Sequence, residues 1–387
     1  MTPLAPVWNG TERRLRAPLR IALTAAVVVL LLVGFGALVA ALAPTPSVPV
    51  GTVLLSSTLT AVAVGLACLV AARVLDRRRL RDYGLSLDVD WAVDLVVGSV
   101  LGGFLMTLIL LVSLLAGWAE VTGALHADAG LSVPVAFALA TLAFVAVSLG
   151  EELALRGYLL TNLAEGLRGL GDRAAVALAT LGSAAVFGAL HATNPGATAL
   201  SVAGVALAGV MLGLGYVLTD RLALPVGLHF SWNLFQGPLF GLPVSGVDLG
   251  VSLLVLDVTG PARLTGGAFG PEAGLVGAGA IVLGTALIVG YWLTNILGFV
   301  LLHVGAVGIW RADPETDSIY TRRDIAVDLL LSLVFASVHA AGALVRAPGE
   351  VDGSTVPLDG DLHADLHGLI AHAVVVIAAP VLASSTE

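Results

Sequence analysis

Lysine is absent from this chain of 387 residues, whose 18 basic residues are all arginine. That is the codon usage of a GC-rich genome, and no function follows from it. Cysteine occurs once, as Cys68, which excludes an intrachain disulfide and any cysteine-rich metal site. Among Ala, Val, Leu and Gly neighbours its thiol reads as packing. Charge is scarce as well, at 12% of residues against about 25% for a soluble domain. With 58% hydrophobic residues and a mean hydropathy of +0.99, a soluble globular domain is excluded. The net charge of −9 describes the connecting loops and says little more. What is there is long apolar runs, so the expected fold is all-α, a polytopic transmembrane helix bundle in the cell membrane.

A span of a ~30 Å hydrocarbon core needs about 20 apolar residues. Ten candidate runs are present: Leu19–Ala43, Thr52–Leu75, Trp91–Trp118, Val133–Leu160, Ala174–His191, Ala197–Leu218, Leu222–Phe240, Gly274–Trp310, Ile325–Val345 and Leu366–Leu382. His339, His367 and His372 interrupt the last two, so eight to ten spans are expected. The first run is too long for a signal peptide, whose apolar core is about 7–15 residues, and reads as a retained span. Trp91, Trp118 and Trp310 fall at span ends, where aromatic belts form. Pro44, Pro46 and Pro49 mark a stiff turn, and Gly241–Ala273 reads as a long outer loop. No internal repeat is visible. The chain divides into N-terminal spans (1–132), a core (133–240) and a C-terminal extension (241–387).

With the N-terminus inside, fifteen arginines fall on the cytoplasmic side. Only Arg263 and Arg346 fall outside, and Arg156 lies within a span. Arginine excess marks the cytoplasmic face, so both ends are expected there.

Three polar intrusions break the central runs: Glu151, Glu152 and Arg156 (E-E-x-x-x-R); Phe187 and His191 (F-x-x-x-H); His229 and Asn233 (H-x-x-x-N). An ionisable residue inside a membrane is costly and marks a functional site by default. Residues four apart share a helix face, so Glu152 and Arg156 pair. Glu151, turned about 100° away, lacks that partner. A desolvated carboxylate beside an imidazole serves as a general base at neutral pH. His229 and Asn233 present two donors along one face, as an oxyanion requires. Glu, His, His and Asn without a Ser or Cys nucleophile suit water-mediated peptide hydrolysis. The alternatives left open are an ion pair joining helices, a His bonded to a neighbouring carbonyl, and a transporter's proton relay at Glu151.

The segment Glu151 to Tyr158 resembles the first motif of the CAAX-protease and bacteriocin-processing (CPBP, or Abi) family of intramembrane endopeptidases. Phe187 to His191 resembles its second motif and His229 to Asn233 its last, and Leu212 to Tyr216 is also similar. The family includes type II CAAX prenyl endopeptidases and lysostaphin-resistance-like proteins. The resemblance implies that Glu151 and His191 activate water and that His229 and Asn233 form the oxyanion hole. It counts Glu152 with these catalytic residues, supporting them together with Arg156, while Phe187 packs beside His191 as structural support. It implies cleavage near the cytoplasmic membrane face, of a prenylated CAAX protein, a leader peptide or a signalling peptide. The alternative is a catalytically silent member serving as a membrane scaffold or immunity protein. Expected partners are a peptide or membrane-associated protein substrate and membrane lipid, with no nucleic acid.

Ala154 departs from the larger residue common in the family. Counting 1.5 Å per residue from the inner span ends, Glu151 lies about 16 Å deep, His229 about 10 Å and His191 about 26 Å, so convergence needs a tilt or offset. Zinc is an open question: Glu151, His191 and His229 could hold it with one position free. His363 and His367, among Asp359, Asp361 and Asp365, form a second H-x-x-x-H pair that could ligate zinc, but Gly360 and the acidity of the loop favour a solvated loop.

Overall fold

Without water to satisfy backbone groups, a chain this apolar can cross a bilayer only as helices or a closed barrel. The computed structural model takes the first course. It describes residues 7–10, 12–42, 50–128 and 131–312. A two-residue ribbon (β1, Trp8–Asn9; β2, Arg14–Leu15) leads into α1 (Ala17–Leu42) and α2 (Val50–Ala71). There follow α3 (Val89–Leu115), strand β3 (Ala119–Ala127) and α4 (Val133–Glu152). A π-helical stretch, Leu153–Leu160, carries α4 into α5 (Thr161–Leu167). Then come α6 (Asp172–Leu190), α7 (Ala199–Thr219), α8 (Ala223–Leu234), strand β4 (Val251–Val258), the short α9 (Ala262–Thr265) and α10 (Leu275–Ala312).

Helix starts follow local chemistry. Asp88 caps α3 by accepting the Trp91 N–H at 2.8 Å, Pro134 occupies the first turn of α4, and Thr198 and Ser201 cap α7 reciprocally. Seven helices among the described residues are long and apolar enough to cross a membrane. This is a multi-pass membrane helix bundle.

Three expectations change. The Leu222–Phe240 run forms twelve residues of α8 and five of π-helix, roughly 25 Å long. It is almost wholly buried against α3, α4 and α7, not one of the long spans. The Gly241–Ala273 loop contains β4, which pairs antiparallel with β3 from Ala119↔Val258 to Ala127↔Val251. The apolar run Val251–Val258, with three valines, suits a strand, but it does not alternate and is too short to stand out among the surrounding glycines. Nor do all charges lie in solvated loops. Arg14, Arg20, Arg78 and Asp76 are buried. The candidate spans Ile325–Val345 and Leu366–Leu382, the histidine pair His363/His367 and the proline turn lie outside the described residues.

Packing divides the chain into one unit of Met1–Leu287 and another of Ile288–Glu387. In the first, helices approach through glycine. A Cβ at Gly102 of α3 would strike the Leu228 carbonyl and Ser231 hydroxyl of α8, and one at Gly150 of α4 would strike the Ala61 carbonyl of α2. These contacts hold α8 and the end of α4 in place.

At the arginine-rich end, Arg20 binds Asp76 at 2.7 Å and Glu165 at 2.5 Å, and Arg78 binds Glu165 at 2.8 Å. Arg14 reaches the Asp76 carbonyl at 2.7 Å. Asn162 and Tyr83 donate to the same Asp76 carboxylate. Buried guanidinium groups need such neutralisation, because one left unpaired costs several kcal/mol. At the opposite end β3, β4 and the 241–250 loop cover α4, with Val244, Leu249 and Val251 packed on Ala136, Ala140, Ala143 and Phe144.

Candidate functional site

Glu152 is the last residue of α4 and has no exposed surface. Its Oε1 accepts from Arg156 Nη1 at 2.7 Å and from His229 Nδ1 at 2.8 Å. The Arg156 guanidinium also donates to the Gly209 carbonyl of α7 at 3.2 Å and lies 4.6 Å over the Phe187 ring. One buried carboxylate thus ties α4, α7 and α8 together. The expected Glu152–Arg156 pair is present, and its link to His229 is the part that spacing could not reveal.

The tautomer of His229 follows. Glu152 Oε1 already accepts from Arg156, and a second donor is the complementary partner for it, so the geometry suits a proton on Nδ1. Nε2 then points away from Glu152, and Glu151 Oε2 stands 3.9 Å from it. Two adjacent glutamates therefore bracket the two nitrogens of one imidazole. Glu151 is 35% exposed as a side chain, yet its Oε2 is buried and has no hydrogen-bond partner. Glu152 Oε2 shares that state, but only Glu151 also lines the cavity, where its free acceptor offers a place for a ligand proton or a water.

Phe187 stands edge-on to both histidines, with ring centroids 4.8 Å from His191 and 5.9 Å from His229. His191 ends α6, and its Nδ1 pairs with the Phe187 carbonyl at 2.8 Å. Asn233 is buried one turn after His229. Glu151, His191, His229 and Asn233 all line one cavity of about 660 Å³.

The offset in depth is resolved by stagger. The helical run holding Glu152 continues to Leu170, so α6 starts well beyond the level where α8 starts. The Leu222 N–H donates to the Gly84 carbonyl at 3.0 Å, raising the start of α8 to the level of Gly157. Ser183 of α6 donates to the Leu155 carbonyl at 2.8 Å, which brings Phe187, one turn on, level with Glu151. Counting each span from one common plane placed the residues apart. The π-helical stretch directly after Glu152 widens the turn here, as π-bulges often do at functional sites.

Several lining residues carried no sequence signal. Asn194 and Ser245 meet at one end of the cavity, where Asn194 Nδ2 donates to the Ser245 carbonyl at 3.0 Å. Beside them Glu272 accepts from Ser245 Oγ at 3.2 Å and from Gln236 Nε2 at 2.8 Å. Burial pushes the Glu272 carboxyl up to about 7, against the pull of these hydrogen bonds. Between Pro271 and Ala273 in a glycine-rich segment, Glu272 carries no local pattern that signals burial. At the other end Thr24, Cys68 and Tyr158 form the floor.

Among the described residues, no three His, Cys, Asp or Glu side chains are placed to hold a metal ion. Glu151, His191 and His229, the residues that could hold zinc, are not gathered into such a group; Nδ1 of each histidine is taken, by the Phe187 carbonyl and by Glu152, which leaves each Nε2 free. No step is routed through a metal ion.

Spanning helices around a cavity with a buried acid–imidazole cluster define an integral membrane protein with an intramembrane polar site. Residues 133–235, about a quarter of the chain, match the family model for type II CAAX prenyl endopeptidase Rce1-like proteins. Residues 269–347 match a family of unknown function, DUF7980. No curated protein and no solved structure matches the chain. The first match supports the wider CPBP/Abi group expected from the motifs, and gives the lysostaphin-resistance-like subgroup no support. Glu272 lies in the second matched segment, so both segments line the cavity.

Proposed function

We propose that the protein is an intramembrane endopeptidase whose catalytic core is residues 133–240. The observation that carries this is the unpartnered Glu151 Oε2 facing His229 Nε2 inside a cavity. Glu151, with His191, takes a proton from water, and the hydroxide attacks the scissile carbonyl carbon. The carbonyl electrons move to oxygen, where Asn233 and His229 donate to the oxyanion. With Nδ1 bound to Glu152, His229 donates through Nε2 only as an imidazolium, the stronger, charge-assisted donor. The C–N bond then breaks and the leaving amine takes the proton held on Glu151. Glu152 and Arg156 position His229 and touch no reacting atom.

The test is turnover of internally quenched peptides, a farnesylated CAAX peptide among them, by purified protein. Glu151→Gln abolishes cleavage while the protein stays folded. Asn233→Ala lowers kcat roughly 10²–10³-fold with little change in KM. Full activity in either variant overturns the assignment it tests. Stoichiometric zinc lost in His229→Ala but kept in Asn233→Ala would replace this scheme with a metalloprotease.

A further inference from the structure

The cavity has two unlike ends and one open side. Its floor is Thr24, Cys68 and Tyr158. The Tyr158 hydroxyl is bound by Thr24 Oγ1 at 2.6 Å and lies 3.2 Å from the Arg20 carbonyl. Directly beneath, Asn162 links the Tyr158 carbonyl (3.0 Å) to Asp76 (2.7 Å), and Asp76 binds Arg20. Arg20 and Asp76 have no exposed surface and Arg78 has 1%. A passage through this end would break buried ion pairs, each worth several kcal/mol once one partner is lost. The floor is closed.

The other end carries the polar lining, His191, Asn194, Ser245 and Glu272, and the first three are partly exposed. Along the side, cavity-lining residues also face outward: Val29 (56% exposed) and Leu32 (38%) from α1, Val186 (40%) and Leu190 (61%) from α6. Apolar side chains that line a cavity and the lipid-facing surface together mark a gap in the wall. It lies towards the end bearing His191.

Arginine fixes which end that is. Arg13, Arg14, Arg16, Arg20, Arg73, Arg77, Arg78, Arg79, Arg81, Arg168, Arg173 and Arg221 cluster at the floor end. Their partners confirm the grouping: Arg14 and Arg20 meet Asp76 and Glu165, and Arg221 meets Asp90 and Asp94. Arg263 alone lies at the other end within Met1–Leu287. Twelve against one puts the closed floor on the cytoplasmic side.

We infer that substrate enters laterally between α1 and α6 from the extracytoplasmic half of the bilayer, and that it is the extracytoplasmic, membrane-proximal segment of a membrane-anchored peptide. The inference rests on the endopeptidase reading for its chemistry, and on wall, floor and charge for its direction. It differs from the expectation of cleavage near the cytoplasmic face, since on this geometry a prenylated cytoplasmic C-terminus would meet the sealed end. An apolar anchor fits the gap between Val29 and Leu190. The polar mouth accommodates backbone leaving the membrane.

Accessibility and cleavage test separate parts. In a Cys68→Ala background, Thr193→Cys should react with a membrane-impermeant maleimide on intact cells, and Gly169→Cys only after permeabilisation. The reverse pattern overturns the direction of access. Two single-span reporter peptides of opposite orientation then present the same tagged tail outside or inside. Release of the outer tail alone is expected, and release of the inner tail overturns the proposal even if hydrolysis is real. Release of neither overturns the substrate class together with the endopeptidase reading, while the labelling still decides direction. Leu190→Trp, which narrows the gap, should lower kcat/KM for the outer reporter roughly tenfold or more, mainly through KM. Leu178→Trp, exposed on the same helix away from the cavity, should not. Equal turnover in both overturns the lateral route.

Discussion

Glu151 and Glu152 are chemically identical and adjacent, yet their surroundings assign them different work. Glu152 Oε1 holds Arg156 and His229 at once, so Glu152→Gln would leave a buried guanidinium uncompensated at a cost of about 3–5 kcal/mol. The expected outcome is a clear fall in Tm in detergent, which Glu151→Gln does not share because its Oε2 has no partner to lose. Equal thermal stability of the two variants would contradict this division. The separation of a paired acid from an unpaired one was legible from spacing, since i,i+4 geometry is local. The capture of His229 by Glu152 was not, because the two are 77 positions apart and only the stagger of α4 and α8 brings them level. Glu272 was illegible for the same reason: nothing near it in sequence announces burial.

At the scale of elements, the site depends on how closely α3 and α8 approach. Gly102→Ala places a methyl group against the Leu228 carbonyl and Ser231 hydroxyl, and overpacking of this kind costs about 1–3 kcal/mol. Because α8 carries His229 and Asn233, the same change should reduce kcat as well as Tm. A stability loss with unaltered kcat would show that α8 does not set the geometry. The outer loop offers a second test. The folded Glu272 carboxyl is raised to about 7 from its ordinary 4.5, so its contribution is complete below about pH 4.5 and is lost as pH rises through 7. That difference corresponds to about 3 kcal/mol. Limited proteolysis within 241–273 should therefore be faster at pH 8 than at pH 5, and Glu272→Gln should flatten the dependence. Helices here were plain from apolar length alone. The β3–β4 pair was not, since strands of eight or nine residues among glycines carry a weak pattern and their partner lies beyond 120 residues.

For the whole molecule, the ion-pair cluster beneath Tyr158 has a consequence for bioenergetics. A cavity of about 660 Å³ has room for on the order of 20 waters at ~30 Å³ each. With access from the extracytoplasmic side, as inferred above, water reaching that far in would carry the outside potential with it. The membrane voltage then falls across the thin layer of Arg20, Asp76, Tyr83 and Asn162 rather than across the full bilayer. Each 100 mV is worth about 2.3 kcal/mol per charge, and here it acts on charges already locked to one another. Asp76→Asn should unlock them: proteoliposomes holding the variant and an internal pH dye should dissipate an imposed proton gradient faster than those holding the wild type. Equal decay would mean that the barrier lies elsewhere. On the endopeptidase reading proposed above, a core that admits water must also be insulated from the cell's proton-motive force, and these four side chains would supply that insulation.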